Sequence, residues 1–243
     1  ARTLLDRRFG RWPARGEERR PAPVLAGATR TPARRVILVD KPGAAQSVIM
    51  IGAPGLERTS PDYAAIQVMN TILGGSFSSR LNTNLRETKG YTYGASSNFQ
   101  WRPLPGAFVA SSDVRTNVTD SSLVEFFKEI RAIRDAAVSD AELARAKAYI
   151  ALGVPGDLES TAQIAGQVTG LALFNLPLTY LQEYVAAVNA VTAADVQRVA
   201  RRYIPDEAAT IVIVGDLAQV RAGIDALNLG PVSVVTVAEL SAP

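Results

Sequence analysis

Two side chains that can donate hydrogen bonds to a carbonyl oxygen, Arg86 and Tyr93, stand on either side of a turn signal at Gly90. They lie in the run Leu73-Gly74-Gly75-Ser76-Phe77-Ser78-Ser79-Arg80-Leu81-Asn82-Thr83-Asn84-Leu85-Arg86-Glu87-Thr88-Lys89-Gly90-Tyr91-Thr92-Tyr93-Gly94. The pattern predicts a Gly-Gly break joining two helices, the second from about Ser79 to Thr88. A strand follows, with Tyr91 and Tyr93 on one face because residues two apart point the same way. A guanidinium of fixed charge and a phenol, converging where helix gives way to strand, suit a carbonyl oxygen or a developing oxyanion. Gly74 and Gly75 fit a helix–helix turn and, as a second use, a loop that a substrate backbone can approach closely. Simpler roles exist for several of these residues. An arginine at a helix C-terminus complements the helix dipole, Tyr91 suits core packing, and Glu87 and Lys89 read as a solvated face.

The chemistry missing from the chain narrows the choice further. Its 243 residues include no histidine and no cysteine. A Ser-His-Asp triad therefore has no base, and disulfides, thiolate metal sites and a Cys nucleophile are excluded together. A catalytic zinc of the usual kind needs at least one imidazole, so whatever this chain does by itself, it does without histidine chemistry. There is no Walker A loop, no G-x-G-x-x-G, no Ser-x-x-Lys, no G-x-S-x-G and no calcium loop of the EF-hand kind, which removes the matching nucleotide, hydrolase and calcium readings.

Composition describes a globular chain, 47% hydrophobic and 20% charged, without an apolar run near the roughly 20 residues of a membrane helix. The net charge of +3 divides unequally: ten arginines against Asp6, Glu17 and Glu18 give +7 over residues 1–35, and the remainder carries −4. A basic arm of that kind can serve nucleic acid. Without interleaved aromatics it reads instead as a solvated helix and linker, and no nucleic-acid partner is expected. The Arg/Ala-rich composition suits a bacterial source and leaves periplasm and cytoplasm both open.

Around the Arg86–Tyr93 run the elements are well marked. Leu4, Leu5 and Phe9 fall at helical spacing before a stop at Gly10. Pro13, Pro21, Pro23 and Pro32, with Gly16 and Gly27, make an extended connector. Strands are predicted over Arg35–Val39, Ser47–Ile51, Thr92–Gln100, Ala107–Val114 and Ala208–Asp216. Ser60 and Pro61 mark the cap and first residue of a helix through Ile72. Leu123, Phe127, Ile130 and Ile133 form an amphipathic stripe, and two further stripes run through Ile164, Val168 and Leu171 and through Leu181, Tyr184 and Val188. Ser139 with Glu142 and Thr192 with Asp195 are capping boxes, and a last helix spans Leu217–Leu229 before Gly230. The order predicts an α+β fold, a mostly antiparallel sheet with helices packed on one side. The strand-then-helix ending echoes the opening helix loosely, a hint of domain duplication.

The Arg86–Tyr93 run closely resembles the C-terminal-domain motif of the pitrilysin/insulinase family of zinc metallopeptidases. The resemblance extends upstream through Val39-Asp40-Lys41-Pro42-Gly43-Ala44-Ala45-Gln46-Ser47 and downstream through 139–147 and 212–216. It implies a processing-peptidase-like clamshell half over residues 34–243. Residues 1–33, including Phe9-Gly10-Arg11-Trp12, would be the terminal helix of a preceding domain plus a linker. In that family an Arg and a Tyr seven residues apart contact the substrate, which Arg86 and Tyr93 match, while a facing domain carries a His-x-x-Glu-His zinc motif absent here. The resemblance thus implies a non-catalytic half that binds peptide and stabilises the scissile carbonyl, with zinc in a partner domain or subunit of similar fold. A non-enzymatic scaffold or core subunit of the same fold is the alternative.

Overall fold

The computed structural model describes residues 2–11, 33–236 and 239. The predicted connector over residues 13–33 therefore lies almost wholly outside the described residues. Helix α1 (Arg2–Phe9) has no buried residue.

Six strands form one sheet: β1 (Arg35–Asp40), β2 (Gln46–Pro54), β3 (Thr92–Phe99), β4 (Ala107–Arg115), β5 (Thr210–Gly215) and β6 (Val232–Val235). Their order is β3-β4-β2-β5-β1-β6. The β3–β4, β4–β2 and β2–β5 pairs are antiparallel, whereas β5–β1 and β1–β6 are parallel. The α+β reading holds, with a parallel corner at the β6 end. The strand through Ile213 does not close the fold at an edge. It runs in the middle of the sheet between β2 and β1, where both faces and both edges favour a run of Ile and Val. Strand β6 went unread because four residues give too little alternation to register.

Alternation along the strands sets which face is covered. Ser47, Ile49, Ile51 and Ala53 of β2 are buried, while Val48 and Met50 between them are exposed. On the buried side lie α2 (Tyr63–Asn70), α4 (Thr119–Asp135), α8 (Ala193–Tyr203) and α9 (Leu217–Ala226). Ile66, Met69, Phe126, Ile130 and Val199 meet Leu38, Ile49, Phe108 and Ile213 there with essentially no exposed surface. The α4 stripe falls on this core as its spacing requires. Helices α5 (Asp140–Gly156), α6 (Thr161–Leu173) and α7 (Tyr180–Ala190) form an outer layer, each with a single buried residue. Both predicted capping boxes are formed, and Ser160 with Gln163 makes a third.

The helix predicted from Ser60 begins at Tyr63 instead, with Asp62 at its N-cap. Ser60 accepts a hydrogen bond from the Asp62 N–H at 3.2 Å, so its hydroxyl shapes the turn and not the helix end. The Asp62 carboxylate is taken by Arg198 at 2.8 Å and by the Tyr203 hydroxyl at 2.7 Å. Burial resists its ionisation, yet these two donors outweigh that and hold the carboxyl below its ordinary range. The bond couples the start of α2 to α8, at the centre of the helical layer.

Gly74 sits where a helix touches a strand. A Cβ there would stand 2.3 Å from the Ser97 backbone nitrogen, a clash that only a backbone shift relieves. Gly74→Ala should therefore destabilise the chain by about 1–3 kcal/mol. Gly166, exposed within α6 and with open space around its Cα, is the control, because Gly166→Ala should stabilise by about 0.5–1 kcal/mol. Urea unfolding of both variants checks the pair, and equal effects would contradict the close-approach account.

Candidate functional site

Both helices of the Arg86–Tyr93 run widen at their C-terminal ends. After α2 the chain continues as a π-helical turn over Thr71–Gly75, and α3 (Arg80–Asn82) leads into a second one over Thr83–Thr88. Gly74 and Gly75 thus finish a helix as well as begin the turn to the next. Gly74 is buried against β3, and Gly75 packs against Asn70. Single-turn π segments recur at functional sites because they shift the helix face by a fraction of a turn. The second segment closes with Lys89 N–H on the Asn84 carbonyl, Gly90 N–H on Arg86 and Tyr91 N–H on Leu85, and Gly90 takes a φ of +62°. That turn delivers the chain into β3.

Strand β3 is an edge strand, and two asparagines bond backbone groups on its free side. Asn82 Oδ1 accepts from the Ala95 N–H at 3.2 Å, and its amide donates to the Phe77 carbonyl at 2.7 Å. Asn70 donates to the Ser97 carbonyl at 3.0 Å and accepts from the Ser97 hydroxyl at 2.8 Å. Helical side chains here take the place of a seventh strand.

The register of β3 against β4 decides where Tyr93 points. Thr92 pairs with Val114 and Ala95 with Ser112, so Tyr93 and Gly94 together stand opposite Asp113. This is a β-bulge, which bends a strand and re-aims its side chains. Without it Tyr93 would share the face of Ala95, Ser97 and Phe99, all buried. With it Tyr93 is 91% exposed, whereas Tyr91 is half-buried. Polar bonds pin the bulge. The Thr92 hydroxyl donates to the Asp113 carbonyl at 2.6 Å and accepts from the Gly94 N–H at 3.0 Å, and the Ser112 hydroxyl donates to the Gly94 carbonyl at 2.8 Å.

Arg86 is half-buried, and its guanidinium lies 4.5 Å from the ring centroid of Phe77, itself 70% exposed. Its ion pair with Glu87, at 3.4 Å, is largely exposed and weakly held. Spacing arguments missed Phe77, Asn70 and Asn82. Phe77 had a signal, an aromatic flanked by serines and glycines with no hydrophobic period to bury it.

Charged pairs fasten the segment that carries Arg86. Arg80 grips Glu142 with two bonds, at 2.7 and 3.0 Å, while Glu142 also completes the Ser139 capping box of α5. Asn84 donates to Glu125 at 2.9 Å, and Lys89 pairs with the same carboxylate at 2.8 Å. The Lys89 ammonium holds the Glu125 carboxyl below its usual range. Among the described residues no group of three or more His, Cys, Asp or Glu is arranged to hold a metal ion, and no helix is long and apolar enough to cross a membrane.

The profile of the family described as "peptidase M16 inactive domain" matches residues 1–150. Over 180 residues, 74% of this chain and 39% of the relative, the chain is 28% identical to a protein of Streptomyces coelicolor described as an uncharacterised zinc protease. A solved peptidase M16 inactive domain from Pseudomonas fluorescens superposes with a TM-score of 0.70 at 27% identity, over 80% of this chain and 47% of that one. A protease from Helicobacter pylori reaches 0.79 at 21% identity, over 87% and 51%, a likeness of fold. The chain thus spans about half the length, or less, of these proteins.

Arg80 brings the Glu142 carboxyl down to about 2 from its usual 4.5. A depressed carboxylate contributes stability above its unfolded value and loses it as pH falls through the folded one. Glu142→Gln should therefore be less stable than the parent above about pH 4.5, with the gap closing between pH 4.5 and 2. Urea midpoints across that range check this, and a gap independent of pH would contradict it.

Proposed function

The chain belongs to the peptidase M16 inactive-domain family, and from that premise we propose that it is the non-catalytic half of a zinc endopeptidase of the pitrilysin/insulinase type. Residues 34–243 form that half, and residues 1–33 are the end of a preceding domain with its linker. A partner domain or subunit of similar fold supplies the zinc and the general base. This chain's own residues do not fit a zinc ion, having neither imidazole nor thiolate.

In this reading Tyr93 and Arg86 face a peptide held between the two halves. Tyr93 donates its hydroxyl to the carbonyl oxygen of the scissile bond, and Arg86 offsets the negative charge that develops there. The observation that carries the proposal is the bulge, which holds a large aromatic side chain out in solvent at 91% exposure by hydrogen bonds to its own backbone neighbours. A side chain serving packing alone would gain by turning inward, at about 25 cal/mol for each Å² of apolar surface buried. The Phe77 ring beneath Arg86 restrains the guanidinium by a contact worth about 0.5–1 kcal/mol, and its in-plane N–H donors stay available to a substrate oxygen.

With the zinc-bearing partner present, Arg86→Lys and Tyr93→Phe should each lower kcat by roughly 100- to 1000-fold, a loss of about 2.7–4 kcal/mol. KM should change little, since the charge they meet exists only in the transition state. Steady-state kinetics with a fluorogenic peptide tests this, alongside the zinc content of the partner. A rise in KM with kcat untouched would reduce the pair to docking, and unchanged kinetics in both variants would favour a scaffold.

A further inference from the structure

We infer that the cleft between α2 and the α5–α7 layer is a second binding site, selective for an apolar carboxylate such as the free C-terminus of a peptide ending in large apolar residues. The cleft encloses about 640 Å³ and includes neither Arg86 nor Tyr93 among its lining residues. The inference is independent of the reading given to that pair.

Its distinguishing group is Arg58. The guanidinium lies 3.4 Å from the ring centroid of Tyr63, 4.7 Å from that of Tyr180 and 5.8 Å from that of Phe174. Tyr63 in turn packs edge-on against Trp101 at 4.5 Å and beside Tyr184 at 5.6 Å. The cation is thus held in an aromatic cage, and among the described residues no carboxylate oxygen lies within ion-pair distance of it. Stacking occupies the flat faces of a guanidinium and leaves the in-plane N–H fork, the part that matches a carboxylate.

Three of the other polar side chains in the cleft are bonded to protein groups. Asn70 is bound to Ser97, the Thr71 hydroxyl donates to the Gln67 carbonyl at 2.8 Å, and the Gln67 side chain bonds Tyr184. Asp157 is exposed to solvent. Apolar surface from Ile150, Val154, Leu171, Leu176 and Leu181 supplies the remaining wall. A ligand that matches these surfaces has one anionic end and a hydrophobic body, and the volume suits a few residues of peptide. Fatty acids share that chemistry, and the test separates them.

Isothermal titration of the 243-residue chain should compare three probes: an N-acetylated tetrapeptide acid ending in Leu-Phe, its C-terminal amide, and dodecanoate. The acid should bind at least about ten-fold more tightly than the amide, as expected for a charge-assisted pair. Arg58→Gln should erase that preference, and Arg58→Lys should restore part of it. Binding of dodecanoate without the peptide acid supports the carboxylate site and assigns it to lipid. If neither acid binds, if the amide matches the acid, or if Arg58→Gln keeps the preference, the inference falls. Should Arg58→Gln fail to fold, the acid–amide comparison on the parent chain and on Arg58→Lys decides.

Discussion

Strand β3 has a sheet neighbour on one side only, and the other side would offer its N–H and C=O groups to any passing strand. Asn70 and Asn82 close it off. Each leaves a helix end, makes a bond to the strand backbone, at 3.0 Å from Asn70 and 3.2 Å to Asn82, and so fixes that helix against the strand. Close approach is possible because residue 74 has no side chain and can lie against the Ser97 backbone. Phe77, Arg86 and Tyr93 are all attached to this one seam.

Because the seam is held by these bonds, the ends of the elements can be irregular without being loose. Two π-helical endings and one bulge lie within 24 residues, over 71–94. Each departs from the regular hydrogen-bond ladder, and each is compensated by named bonds: Asn82 at the loop, Thr92 and Ser112 at the bulge, Arg80–Glu142 and Lys89–Glu125 beneath. Strain or irregularity kept in place by surrounding bonds is what preorganised sites require. The α5–α7 layer is built differently. Leu152 and Leu178 are more than three-quarters exposed there, and its main interior feature is the Arg58 cleft.

Much of this was legible in the residues. The strands through Ile49, Phe108 and Ile213 announce themselves by β-branched alternation, and Ser139-x-x-Glu142 and Thr192-x-x-Asp195 are read correctly because a capping box is a purely local device. Type and spacing also mark Arg86 and Tyr93 as candidates, and the resemblance to the pitrilysin/insulinase motif supplies the role proposed for them. What the sequence did not reveal depends on contacts between distant residues. The bulge needs Ser112, eighteen positions from Gly94. The true start of α2 depends on Arg198 and Tyr203, more than a hundred residues away. The cage around Arg58 joins Tyr63 to Tyr180, and no periodicity links those positions.

In the proposed function the bulge serves to present Tyr93, and a double-mutant cycle between Thr92 and Tyr93 tests that role most directly. Thr92→Val preserves shape and removes the hydroxyl that binds Gly94 and Asp113. Turnover by the assembled enzyme should be measured for Thr92→Val, Tyr93→Phe and the double variant. If Thr92 acts by positioning the phenol, Thr92→Val lowers kcat in the parent and has no further effect once Tyr93 is phenylalanine, so the two losses are strongly non-additive. Losses that simply add, or a Thr92→Val variant with full activity, would contradict the account.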